Sequence, residues 1–137
     1  MIRDGGPSPS EESPESRYSR YSRAFSGRTR PFAYVDLEAF DRNADSLVRR
    51  SGGLPIRVAS KSVRSVPLLK RVLARKGFRG VLAYRASEAV FLASNGIRDV
   101  VVAYPTTEEE ELREVAAAVR GGAEITLMAD RPEHLRL

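Results

Sequence analysis

Short apolar stretches alternate with amphipathic helical stretches along most of this chain, and the alternation occurs five times. The strand-like stretches are residues 32–37, 56–60, 80–84, 99–104 and 124–128, so the unit recurs roughly every 20–25 residues. Runs that are apolar throughout, such as Val100-Val101-Val102-Ala103, suit strands buried on both faces, as in parallel sheets. Alternating strands and helices leave two architectures, a doubly wound sheet or a (β/α)8 barrel. No G-x-G-x-x-G pattern opens any of the helices, so a dinucleotide site of the doubly wound kind is not supported. A complete barrel typically takes about 250 residues. With 137 residues, about five βα units and one more helical turn begun at Pro132, the expectation is an α/β fold comprising the N-terminal half of a barrel.

The intervening helices carry their own signals. Phe40, Ala44, Leu47 and Val48 fall at helical spacing, and Gly52-Gly53 stops that helix. A second runs from about Pro67, with Leu69, Val72 and Leu73 inward and Gly77 as its stop. Ser87 can cap a third, through Val90, Phe91 and Leu92 to Asn95-Gly96. Thr107 and Glu110 have the spacing of a capping box. The run Glu108 to Glu111 suits a helix start, where the dipole favours negative charge. That helix carries Leu112, Val115, Ala116 and Val119 and ends at Gly121-Gly122.

Residues 1–30 differ in kind. Seven serines and six arginines stand there with almost no aliphatic residue, so little surface can be buried to offset ordering entropy. The expectation is a disordered tail over 1–30 and a barrel-like domain over 31–137. Within the tail, Arg17-Tyr18-Ser19-Arg20-Tyr21-Ser22-Arg23 interleaves basic and aromatic residues. Phosphate pairing plus stacking would make it a nucleic-acid contact. The net charge of +5 suits such a partner. Three arginines are a small footprint, however, and a solvated extension is the plainer reading, so a nucleic-acid partner is not expected.

Composition removes several functions. The chain has no cysteine, which excludes disulfides, thiolate catalysis and Cys-rich zinc sites. A lone His134, placed in the last helical fragment and expected to face solvent, cannot build a His-rich metal site, and no metal is expected. No apolar run approaches the roughly 18 residues of a membrane span, and the N-terminus lacks a signal-peptide pattern. The chain reads as a soluble cytoplasmic protein without a membrane partner.

In a parallel α/β fold, chemistry gathers at the carboxyl ends of the strands. The residues available there are Asp36, then Lys61 and Ser62, Tyr84 and Arg85, Tyr104 and Thr106, and Asp130 and Arg131. Only Lys61, Lys70 and Lys76 among the 23 basic residues are lysines. Lys61 directly follows an apolar strand. A desolvated amine gives up its proton more readily, which is what a Schiff-base lysine requires; a lysine that snorkels past the strand end into water is the alternative. Tyr84 and Tyr104 could stack on a flat cofactor or simply pack at the rim. Asp36 could serve as a base or cap the helix that follows, and Glu88 stands near a helix N-terminus.

These residues resemble a known family. The segment Pro31-Phe32-Ala33-Tyr34-Val35-Asp36-Leu37-Glu38-Ala39-Phe40-Asp41-Arg42-Asn43 is similar to the "P-x-x-x-x-D-L-x-A-x-x-x-N" opening of fold-type III pyridoxal-phosphate enzymes, the alanine racemase N-terminal-domain proteins. Arg57-Val58-Ala59-Ser60-Lys61-Ser62-Val63-Arg64 resembles the "R-P-H-x-K-T-H-K" segment of the D-threonine aldolase and D-serine dehydratase branch. Arg57, Lys61 and Ser62 fit it directly or conservatively, and Arg64 takes the place of the second lysine. Ala86-Ser87-Glu88-Ala89 resembles the branch's "E-A" helix. Gly96-Ile97-Arg98-Asp99-Val100-Val101-Val102-Ala103-Tyr104-Pro105 resembles its "G-I-x-D-[IV]-L-x-x-x-P" stretch.

The resemblance implies that Lys61 carries pyridoxal 5'-phosphate as a Schiff base; Tyr84, at the end of the next strand, is the residue expected to stack on that cofactor. It implies an amino-acid substrate, D-configured in several members, and a deaminase, dehydratase, aldolase or racemase reaction. Homodimers are common in the family. Val58 and Ala59 stand where the motif has Pro and His, which points to the amino-acid deaminase-like relatives. The family's phosphate-cradling loop, pyridine-nitrogen partner, opposing catalytic residue and any metal ligands come from segments beyond these residues. A non-catalytic pyridoxal-phosphate-binding protein of cofactor homeostasis is the alternative reading, and a basic nucleic-acid-binding protein using the Arg-Tyr run ranks behind it.

Overall fold

A computed structural model describes residues 12–136. The chain divides between Asp45 and Ser46 into two compact units, each with its own internal logic.

The first unit begins with helix α1, Pro14–Ala24. The Ser13 side chain caps it by accepting from the Ser16 amide at 3.1 Å, and proline occupies its first turn, where no backbone donor is needed. Arg20 makes two 3.0 Å hydrogen bonds to the Glu12 carboxylate. Tyr21 and Phe25, four residues apart, share a helix face. Phe25 packs on Tyr34 and Phe32 at ring separations of 4.4 and 5.0 Å, and Tyr21 on Tyr34 at 5.1 Å. Two expectations fail here. The tail expected to be disordered is helical over Pro14–Ala24, because caps and aromatic contacts replace the missing aliphatics; residues 1–11 lie outside the described part. The strand expected over 32–37 does not form. Phe32 and Tyr34 spend their ring surface on Phe25 and Tyr21, and the backbone runs into helix α2, Leu37–Arg50, without pairing in a sheet. Asp36 starts α2 as expected, its Oδ1 accepting from the Ala39 amide at 2.9 Å.

The second unit is an α/β layer. Strands β1 (Ile56–Ala59), β2 (Phe78–Ala83), β3 (Asp99–Val102) and β4 (Glu124–Thr126) form one sheet in the order β1-β2-β3-β4, every pair parallel. Helices α3 (Val66–Leu73), α4 (Ala86–Ser94) and α5 (Glu109–Arg120) connect them. The register aligns Val58, Val81, Val100 and Ile125 in one row and Ala59, Leu82, Val101 and Thr126 in the next. Successive strand residues point to opposite faces. The first row therefore meets Leu69 of α3 and Ala89 and Leu92 of α4 in the core, where Val81, Val100 and Val102 are fully buried. The second row faces away, and Leu82 in it is 37% exposed.

On that outer face, near the amino ends of the strands, Arg57 reaches across β2 to Asp99 at 2.6 Å. The crossing works because Gly80 lies between them: a Cβ there would stand 2.2 Å from the Arg57 guanidinium and 2.5 Å from the Asp99 carbonyl. The backbone at Gly80 also has φ +63°, a region that L side chains seldom adopt.

Four of the five expected strands are present, each near its expected place. Two expected caps are not. α4 starts at Ala86 with Arg85 at its N-cap and no side-chain bond from Ser87. The Thr107–Glu110 box is replaced by the neighbouring threonine: Thr106 Oγ1 accepts from the Glu108 amide at 3.2 Å. The segment expected to open another helix is a short 3-10 turn, Pro132–Arg136. Among the described residues no helix is long and apolar enough to cross a membrane.

Candidate functional site

Three of the residues expected at strand ends come together. β1 runs into a single 3-10 turn, Ser60–Ser62, and Lys61 is its middle residue. Ser60 is the one buried polar residue among those described, 2% exposed, and its hydroxyl donates to the Leu82 carbonyl at 3.2 Å. That bond ties the turn to β2 and fixes where Lys61 leaves the sheet. Lys61 then lines a cleft of about 260 Å³ with Leu82, Ala83, Tyr84, Ala103 and Tyr104. The other lining residues besides the tyrosines and Lys61 are apolar, and the two tyrosine rings have centres 4.9 Å apart and are tilted by 60°. Such tilted contacts are favourable for aromatic pairs. Both rings are about half exposed, so each keeps surface for a ligand.

Of the two environments the sequence left open for Lys61, the structure shows the solvent-facing one. Its side chain is exposed rather than desolvated. The strand passes at once into the Ser60–Ser62 turn, and Lys61 lies on that turn rather than within the sheet.

Other side chains hold the rim. The Tyr84 amide donates to Glu88 Oε2 at 2.8 Å, so Glu88 anchors the start of α4, in keeping with its place in the first turn. Arg85 donates to Glu111 Oε1 at 2.9 Å, and Thr106 to Glu111 Oε2 at 3.3 Å. The sequence placed Glu111 in a glutamate run suited to a helix start, and nothing in that run marked it as a residue of the rim.

The remaining candidates lie elsewhere. Arg64 lines a different hollow, with Val63 and Phe91. Asp130 sits 3.1 Å from His134 Nδ1, and the His134 side chain is only 18% exposed, so it does not face solvent as expected. Asp36 belongs to the first unit, where its Oδ2 accepts from the Tyr21 hydroxyl and from Arg20. The Tyr21 hydrogen bond above all, then the Ala39 amide and Arg20, hold its carboxyl down to about 2. A carboxylate held so firmly in its charged form is a structural anchor rather than a base. In the Arg-Tyr run, Arg20 and Tyr21 are taken up by Glu12 and Asp36. Among the described residues no three acidic or histidine side chains converge to hold a metal.

No family model matches the chain, and no solved structure does. Two curated proteins are similar to it. Both are 3-hydroxy-D-aspartate aldolases of Paracoccus denitrificans, one of them from strain Pd 1222, and each is 28% identical over 107 residues. The match takes in 77% of this chain but 28% of either relative. The chain thus spans less than a third of the length of the curated relatives it matches.

Proposed function

We propose that this chain carries the cofactor-lysine portion of a pyridoxal-phosphate-dependent amino-acid enzyme, with Lys61 as the cofactor lysine and a reaction at the substrate Cα of the aldol-cleavage class or a close relative of it. The observation that carries the reading is the convergence of Lys61, Tyr84 and Tyr104 on one cleft at the carboxyl ends of three adjacent parallel strands. The likeness to the two aldolases supports the same reading from an independent side. The sheet supports a portion of a (β/α)8 barrel. Its strands follow in chain order without the reversal that marks a doubly wound fold, and α3 and α4 cover one face while the other keeps an apolar row that a closed barrel would turn inward.

The residues present fit the ring end of the cofactor. Lys61 supplies a primary amine that an aldehyde can reach, and Tyr84 and Tyr104 supply aromatic surface for a flat heterocycle. When bound, pyridoxal phosphate supplies an electron sink for negative charge developing at the Cα of an amino acid. Lys61 Nζ would hold the cofactor and, once free, take or return a proton at Cα. Leu82 and Ala103 would keep water from the floor of the cleft. The substrate class follows as an amino acid, and the relatives' name favours one bearing a 3-hydroxyl group.

Absorbance titration tests this. Adding pyridoxal phosphate to the chain should shift the cofactor band saturably. Lys61→Ala should lose the shift and Lys70→Ala should keep it. A shift that survives Lys61→Ala would remove Lys61 from the site.

A further inference from the structure

Tyr84 and Tyr104 form the shared wall of two hollows. One is the Lys61 cleft. The other adds Arg85, Pro105, Thr106 and Glu111 to the same two rings. The pairing of β2 with β3 reaches Ala83 and Val102, with a last bond from the Ala103 amide to the Ala83 carbonyl at 2.8 Å. Tyr84 and Tyr104 lie just past that point. The sheet ladder therefore sets where the two loops begin but makes no bond beyond that point. Glu88, in the first turn of α4, fixes the Tyr84 backbone, but that bond joins the β2–α4 connection only to its own helix and cannot tie it to the next loop.

Glu111 can. Its carboxylate is 16% exposed and uses its two oxygens on different loops. Oε1 accepts from Arg85, which directly follows Tyr84; Oε2 accepts from Thr106, two residues after Tyr104. Thr106 Oγ1 also takes the Glu108 amide, so the second loop is fixed to the start of α5 as well. Helix-dipole preference does not account for this arrangement. Glu109 and Glu110 already place charge in the first turn of α5, and both face water. Only the third of the series turns inward, where a covered carboxylate requires partners to offset its lost hydration.

We propose that Glu111 is a positioning residue that sets the Tyr84–Tyr104 spacing and with it the width of the Lys61 cleft. The consequence for the cofactor rests on the reading of Lys61 given above; the ring spacing does not. Substitution at Glu111 leaves the amine in place but lets the two loops drift apart, so the aromatic wall loosens.

Photo-oxidative coupling of neighbouring tyrosines reads the ring spacing without cofactor. Peptide mass mapping then gives the yield of the Tyr84–Tyr104 cross-link. Glu111→Ala should lower it severalfold, as expected for loss of charge-assisted hydrogen bonds. Glu111→Gln, which can still accept from Thr106, should fall between. Glu109→Gln, which breaks only the exposed pair with Arg113, should match the unaltered chain. An unaltered yield in a Glu111→Ala chain with native circular dichroism overturns the proposal. If that variant does not fold, Arg85→Ala and Glu111→Gln decide, and unaltered yields in both overturn it equally. Borohydride labelling of Lys61 in the same samples reports the cofactor site separately, so failure of one claim is not read as failure of the other.

Discussion

Asp36 shows how much a single side chain can settle. One carboxylate oxygen caps α2 through the Ala39 amide; the other takes the Tyr21 hydroxyl and Arg20 from α1. Its folded carboxyl lies at about 2, below the ordinary range near 4. A carboxyl lowered on folding contributes stability that is complete above its unfolded value and is lost as pH falls through the folded one. The contribution here, discounted for solvent screening, is roughly 1 kcal/mol. Following the Ala39 amide by NMR as pH falls should give a titration midpoint at about 2, and Asp36→Asn should abolish the transition. A midpoint near 4 would mean the carboxylate is not held by Tyr21. The capping role was legible, because an Asp before an apolar helix start is a local signal. The bond to Tyr21 was not, since it joins residues fifteen positions apart through a helix that composition alone argued against. Lys61, Tyr84 and Tyr104 were legible for a simple reason: each follows an apolar strand, and parallel strands bring their carboxyl ends together.

At the level of elements, legibility followed periodicity. Strands β1 to β4 and helices α3 to α5 came from patterns that a packed sheet imposes on its own residues. The segment 32–36 has the same apolar look, yet its aromatic rings found a helix rather than a neighbouring strand. Sequence pattern does not distinguish these two partners. The threonine at the start of α5 was also misjudged by a single position, because Thr106 and Thr107 offer the same chemistry and only the loop's path selects between them. The two faces of the sheet give a direct check of the packing. Leu69, 2% exposed in the α3–sheet core, should cost about 2–5 kcal/mol on truncation to alanine. Leu82, 37% exposed on the opposite face, should cost about 1 kcal/mol or less. Urea unfolding midpoints compare them, and equal losses would contradict the assignment of faces.

For the whole molecule, chain-order strands with helices on one face put the lysine, the aromatic wall and the glutamate that ties the rim at one end of one sheet. The reading that this end is a pyridoxal-phosphate site has an internal control. Lys61, Lys70 and Lys76 are all exposed, so accessibility alone would modify them alike. The decisive measurement is borohydride reduction of the chain after incubation with pyridoxal phosphate, followed by peptide mapping of the added mass. The account predicts label concentrated on Lys61, with Lys70 and Lys76 nearly clean. Label spread evenly over the three lysines of the folded chain would contradict it.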